Sequence, residues 1–159
     1  MAGGTTSIPE YWRPGRGMLG PLKPLLGRWE AEAVGPDGAS TMQCTREFKP
    51  VLNGSYIQLS AVWVIGPNRQ YEELALFGKG ESGLIFHSYT SDGKRSNGVA
   101  ASALDVDPHA IAFEADMPAG RARMVYWPAG DGAFFFAVES KTKKGWNRFM
   151  QHRYTPLPG

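Results

Sequence analysis

The chain has 159 residues, 42% hydrophobic and 20% charged, with a formal net charge of +2. That length suits one domain able to bury a core without disulfides or metals, and so small a net charge leaves no electrostatic footprint for nucleic acid or an anionic membrane. The single cysteine, Cys44, excludes an intrachain disulfide and every multi-cysteine zinc site.

The opening "MAGGTTSIPEYWRPG" has neither the apolar core of a secretory signal nor a periodic apolar pattern. No later segment is apolar for the length of a bilayer, so a cytoplasmic location is expected. Residues 1–16 read as an irregular arm, laid against the body through Tyr11 and Trp12, and residues 17–159 as one β domain. "GMLGPLKPLLG" (17–27) predicts a short helical turn with Leu19, Leu22, Leu25 and Leu26 on one side. Pro21 and Pro24 stop it from growing longer.

From Trp29 onward the sequence alternates strand and turn. Turn signals stand at "GPDG" (35–38), "LNG" (52–54), "GPN" (66–68), "GKGESG" (78–83), "SDGK" (91–94), "DPH" (107–109), "PAG" (118–120), "PAGDG" (128–132) and "KKG" (143–145). The sequon "NGS" (53–55) reads as a tight turn. The densest basic run, "KTKKGW" (141–146), reads as a solvated hairpin, with a phosphate-contacting loop as the alternative. Between the turns, two-residue alternation sets faces. Ile57, Leu59, Ala61 and Trp63 share one side; Ala122, Met124 and Tyr126 oppose Arg121 and Arg123; Phe134, Phe136 and Val138 lie together.

Nine turns join about ten strands, and no stretch could serve as a crossover helix. Neighbouring strands therefore pair antiparallel, and so long a meander must close or fold over to bury one face and lose its edges. The predicted fold is all-β: a single up-and-down antiparallel barrel of about ten strands with a short N-terminal helical turn. A two-sheet sandwich is the competitor.

"LLGRWEAEAV" (25–34) places the bulkiest side chain at the threshold of the first strand. A barrel end left open admits water, and Trp29 can lie across that end. Gly27 permits a close approach and dihedrals closed to other residues. A cation from the last strand, Arg148 or Arg153 in "GWNRFMQHRYTP" (145–156), is placed to stack on the indole.

The "LGRW" (26–29) start, the meander and the late arginine resemble the calycin superfamily: lipocalins, fatty-acid-binding proteins and their bacterial relatives. More closely, the chain resembles bacterial lipocalin-like domains of unknown function. Those share a leucine-rich lead into Gly–x–Trp, a strand after a "LNGSYI"-like turn (52–57) and a segment like "FHSYTSDGKRSNG" (86–98). The likeness extends over about residues 18–157. It implies a calycin-like barrel whose lumen holds a small hydrophobic or amphipathic molecule, with no nucleic-acid or membrane partner.

An empty apolar lumen of ~300 Å³ would cost roughly 7 kcal/mol, comparable with the stability of a whole domain. The lumen is thus packed, wet or occupied. Tyr56, Trp63, Phe86, Tyr126, Phe136 and His152 are the candidate lining residues, with His87 a further polar candidate; His109 falls in a turn beside Pro108.

Three readings follow: noncovalent binding of a small molecule, a filled barrel with no specific ligand, and haem b on His152. The third rests on a resemblance to nitrobindin-type calycins, whose axial histidine lies near the chain end. It implies nitric oxide binding or peroxynitrite isomerisation. The chain departs from that family in reading "GRWEAEAVGPDG" (27–38) in place of a glycine-rich extension with a Tyr–Pro–Thr segment.

Catalysis and a resident metal are not expected. Cys44 has no helper nearby in sequence, and nothing selects one acid–base pair among Glu47, Glu114, Asp116 and Glu139. Phosphate-cradling, dinucleotide and two-histidine metal motifs are missing. Self-association through the aromatic arm is left open.

Overall fold

Alternating apolar and polar side chains build ten antiparallel strands in the computed structural model, which describes residues 7–34 and 41–158. The strands are β1 (Gly27–Val34), β2 (Thr41–Val51), β3 (Tyr56–Gly66), β4 (Arg69–Lys79), β5 (Leu84–Thr90), β6 (Arg95–Ala101), β7 (Ile111–Met117), β8 (Gly120–Gly130), β9 (Ala133–Thr142) and β10 (Gly145–Pro156). Each pairs with its neighbours in sequence and β1 pairs with β10, so the sheet closes into a barrel. This is the up-and-down closure, not the sandwich. Eight of the nine predicted turns join successive strands; the ninth, "GPDG" at 35–38, lies outside the described residues.

The closing seam is short. Its register is Trp29 opposite Pro156 and Glu30 opposite Thr155, extended by the Leu157 amide donating to the Arg28 carbonyl at 2.8 Å. Two 3₁₀ turns, Glu10–Trp12 and Gly20–Leu25, lie at this end and bury Trp12, Leu22 and Leu25 in the core. The second is the predicted helical turn, with Pro24 inside it. The arm is tied down: Tyr11 Oη donates to the Ala133 carbonyl and accepts from the Gly130 amide, both at 2.9 Å. Trp12 Nε1 donates to the His109 carbonyl at 2.8 Å.

Trp29 is buried as expected, but not under an arginine. Its indole packs edge-on against Phe134, centroids 4.6 Å apart, and its Nε1 donates to the Leu25 carbonyl at 2.8 Å. Gly27 has φ 126°, which demands glycine. A Cβ there would lie 3.9 Å from the Trp29 ring nitrogen, so space is not the reason.

Neither proposed arginine reaches the indole. A bulge between Arg148 and Met150 shifts the β10 register, which puts Arg148 outward while Met150, His152 and Tyr154 face in. Trp146, Arg148, Met150, His152 and Tyr154 therefore do not share one side, as uninterrupted alternation predicts. Arg148 lies over Trp127 at 4.9 Å. Arg153 is exposed and only approaches the Gly130 carbonyl at 3.4 Å.

The outer face has a small core of its own. The β6–β7 connection (102–110) places Ala103 against Val125, Trp127 and Ala137, with Val106 and Ala110 at its margin. Arg123 fastens it: the guanidinium pairs with Asp105 at 2.9 Å and with Glu139 at 2.6 Å. Arg148 meets the other Glu139 oxygen at 2.9 Å. Arg123 and Glu139 are both buried, and removing one leaves the other with a single, more exposed partner, Asp105 for Arg123 and Arg148 for Glu139.

Two unfolding measurements test these roles. In urea, Trp29→Ala should lose about 3–5 kcal/mol, whereas Arg153→Ala should stay within about 0.5 kcal/mol of the parent. Glu139→Ala should cost about 1.5–3 kcal/mol; a loss below ~1 kcal/mol would show that Asp105 alone holds the Arg123 guanidinium.

Candidate functional site

The inward side chains divide the lumen into two halves. On the seam side it is filled: Trp29, Phe134 and Tyr154 pack together, with Phe134 and Tyr154 stacked at 5.3 Å. Toward the opposite end lies a cavity of about 280 Å³. Its walls include Leu59 and Trp63 of β3, Ala75 and Phe77 of β4, Phe86 of β5, Phe113 of β7 and Phe136 of β9. Its mouth is formed by Thr90, Lys94 and Arg95 around the β5–β6 turn, with Met117 and Met150. Gly98 keeps one wall in place, because a Cβ there would fall 2.5 Å from the Phe86 ring and from the Glu114 carbonyl.

Of the predicted lining residues, Trp63, Phe86, Tyr126 and Phe136 all border this cavity. Tyr56 does not. β3 alternates regularly, so a buried Ile57 sends Tyr56 outward, 40% exposed, with its ring over Gly78. His87 is likewise exposed on the outer face. His152 faces inward but is half-buried and does not border the cavity; it sits past the point where the β1–β10 register ends.

The most consequential lining residue is one the sequence reading passed over. Arg46 of β2 is 2% exposed and borders the cavity. Its guanidinium carbon lies 4.2 Å from the centre of the Phe136 ring, with Tyr126 at 5.6 Å, Tyr154 at 5.8 Å, and Phe48 and Trp63 at 5.9 Å. Nη2 donates to Tyr126 Oη at 2.8 Å. Nε and Nη1 are buried without a hydrogen-bond partner, as is the Tyr154 hydroxyl. A sequence signal existed: "MQCTREFK" (42–49) puts Gln43, Thr45, Glu47 and Lys49 on one face and Met42, Cys44, Arg46 and Phe48 on the other. One cation on an apolar face is the anomaly that marks the site.

The local charges are set by burial. Desolvation alone would weaken the protonated form of Arg46, but Tyr126, Tyr154 and Glu73 reverse the balance and raise it, so it stays charged. Burial pushes Tyr126 up to about 12 against the opposing Arg46 charge. Its neutral hydroxyl accepts from Arg46 while keeping a proton to donate. Glu73, the anionic lining residue, accepts from Ser88 Oγ at 2.6 Å. No carboxylate among the described residues forms an ion pair with Arg46.

Burial, opposed by Arg46, pushes the Cys44 thiol up to about 11, the wrong direction for a nucleophile. The carboxylates considered for acid–base chemistry do not converge on the cavity. Glu114 and Asp116 share Arg121 on the surface, and Glu139 belongs to the outer network. No group of three or more metal-ligating side chains occurs among the described residues. His152, the residue considered as an axial ligand for haem b, does not line the 280 Å³ cavity, and its Nδ1 is buried without a hydrogen-bond partner.

A closed antiparallel barrel, filled at one end and hollow at the other, with a buried cation on an aromatic wall, defines the class of protein. No known protein family matches the sequence, and no curated protein is significantly similar to it. No helix among the described residues is long and apolar enough to cross a membrane.

His152 provides a pH test. Burial first, and then the Arg46 charge, hold its imidazole below the ordinary range, so the unfolded chain takes up the proton more readily. Its contribution is fully present above the unfolded value of about 6.5 and is lost as pH falls toward the depressed folded value. Urea midpoints measured from neutrality to mild acid should therefore fall less steeply in His152→Gln than in the parent. Equal slopes would assign the acid sensitivity to other groups.

Proposed function

We propose that this protein binds a small hydrophobic or amphipathic molecule noncovalently inside the barrel, admitted at the end opposite Trp29. The carrying observation is the cavity of about 280 Å³ with mainly apolar walls, near the lower bound for small-ligand sites. Ring faces from Trp63, Phe77, Phe86, Phe113 and Phe136 supply the area that drives such binding. The few polar groups, Arg46, Glu73, Ser88 and Tyr126, are the orienting contacts a ligand site needs. Membership of the calycin superfamily is part of the proposal: the ten-stranded meander and the Gly–x–Trp threshold packed into a filled end support it.

Naphthalene, neutral and compact, tests the cavity directly by the change in its fluorescence on titration. The parent should bind it saturably, and Ala75→Leu, which adds bulk at a wall residue buried in the cavity, should weaken it at least about tenfold, with overpacking costing about 1–3 kcal/mol of stability. Absence of saturable binding, or equal binding by a folded Ala75→Leu protein, would leave a barrel that is filled in function and without a specific ligand.

A further inference from the structure

We propose that the cavity selects small amphipathic acids of about ten non-hydrogen atoms, the carboxylate lying against Arg46 and the Tyr126 hydroxyl. This rests on the ligand-binding reading above and adds to it the charge, the size and the orientation of the ligand.

Charge comes from what Arg46 lacks. A buried guanidinium normally spends its donors on carboxylates or carbonyls. Here one nitrogen is engaged, by a neutral phenol, while Nε and Nη1 are buried with no partner on a residue that lines the cavity. Ring faces stabilise the positive charge but accept no strong hydrogen bond from it. A carboxylate would supply both the countercharge and the acceptors, through hydrogen bonds shorter and stronger than neutral ones.

Glu73 is the competing anion. Ala61 is opposite both Arg46 and Glu73 in the sheet register, so their backbones are two strand spacings apart, about 9–10 Å. The Glu73 carboxylate is held by Ser88, and the Arg46 side chain turns instead onto Phe136. Cationic lining residues outnumber it: Arg46, with Lys94 and Arg95 at the mouth. Lys143 and Lys144 stand in the β9–β10 turn at the same end, against Asp92 and Asp116. Such an entrance draws anions in and repels amines.

Size follows from volume. At ~30 Å³ for each water-sized group, 280 Å³ accommodates roughly nine of them. An aryl or short branched acid fits, its apolar end against Phe77, Phe86 and Phe113. A long-chain fatty acid would have to leave much of its tail outside the mouth.

The test is calorimetric titration of the full chain at neutral pH with phenylacetate, phenylacetamide, phenethylamine and palmitate. Phenylacetate should bind at least tenfold more tightly than the amide, and the amine more weakly still. Palmitate should be at least tenfold weaker than phenylacetate. Arg46→Met should abolish the preference of acid over amide, and Glu73→Gln should strengthen acid binding severalfold. If naphthalene binds the parent but phenylacetate is no better than phenylacetamide, the acid inference falls and the ligand-binding reading survives. If no probe binds, both fall. Palmitate binding as tightly as phenylacetate would overturn the size limit. The parent series decides the question even should Arg46→Met fail to fold.

Discussion

The barrel depends on a closure made by very little backbone. Only two residue pairs define the register between β1 and β10, whereas β2 and β3 share nine. Side chains compensate where the ladder is short. Trp29 sits in the seam itself, is hydrogen-bonded to the preceding 3₁₀ turn, and meets Phe134 of β9 across β10. Trp12 from the arm packs on the same Phe134 at 6.1 Å. A bulky indole at the threshold of the first strand therefore does two jobs: it fastens the first strand to the end of the sheet, and it fills the lumen at that end.

Filling one end is what makes the other end a site. Trp29, Phe134 and Tyr154 close the lumen at the seam, while the rings at the other end line a recess instead of filling it. Because this recess opens on polar groups at its mouth, it is not a sealed apolar void with the full penalty that such a void carries.

Period-two alternation made the strands, their order and most inward faces legible, because a half-buried strand can hide only every second residue. Trp63, Tyr126 and Phe136 follow from that rule. The misassignments came where the period breaks or the phase was taken too loosely. Phe149, 63% exposed at the β10 bulge, is an extra residue that reverses the side on which Arg148 lies. Tyr56 cannot face inward, because its neighbour Ile57 occupies that face. Glu73 is harder to read: Leu74 and Leu76 on the outer face of β4 blur the phase of "RQYEELALFGK". The outer core under residues 102–110 was invisible for a different reason. Alternation says which side a residue takes, but not that a connection will fold back and cover the outside.

Two buried arginines show the same group in opposite settings, one among acceptors and one among aromatic rings. Arg123 is surrounded by acceptors: Asp105 and Glu139 occupy its nitrogens, and Trp146 lies against its remaining face at 4.6 Å. Its donors are consumed in joining a loop to three strands, so nothing remains for a ligand. Arg46 has more aromatic neighbours and fewer acceptors. Its five rings hold the charge by their faces alone, and a neutral tyrosine takes a single nitrogen. Burying a cation costs about the same solvation in either setting. Arg123 recovers it from carboxylates, and Arg46 from ring faces together with Tyr126, Tyr154 and Glu73, which leaves donors on Arg46 that no described residue accepts from.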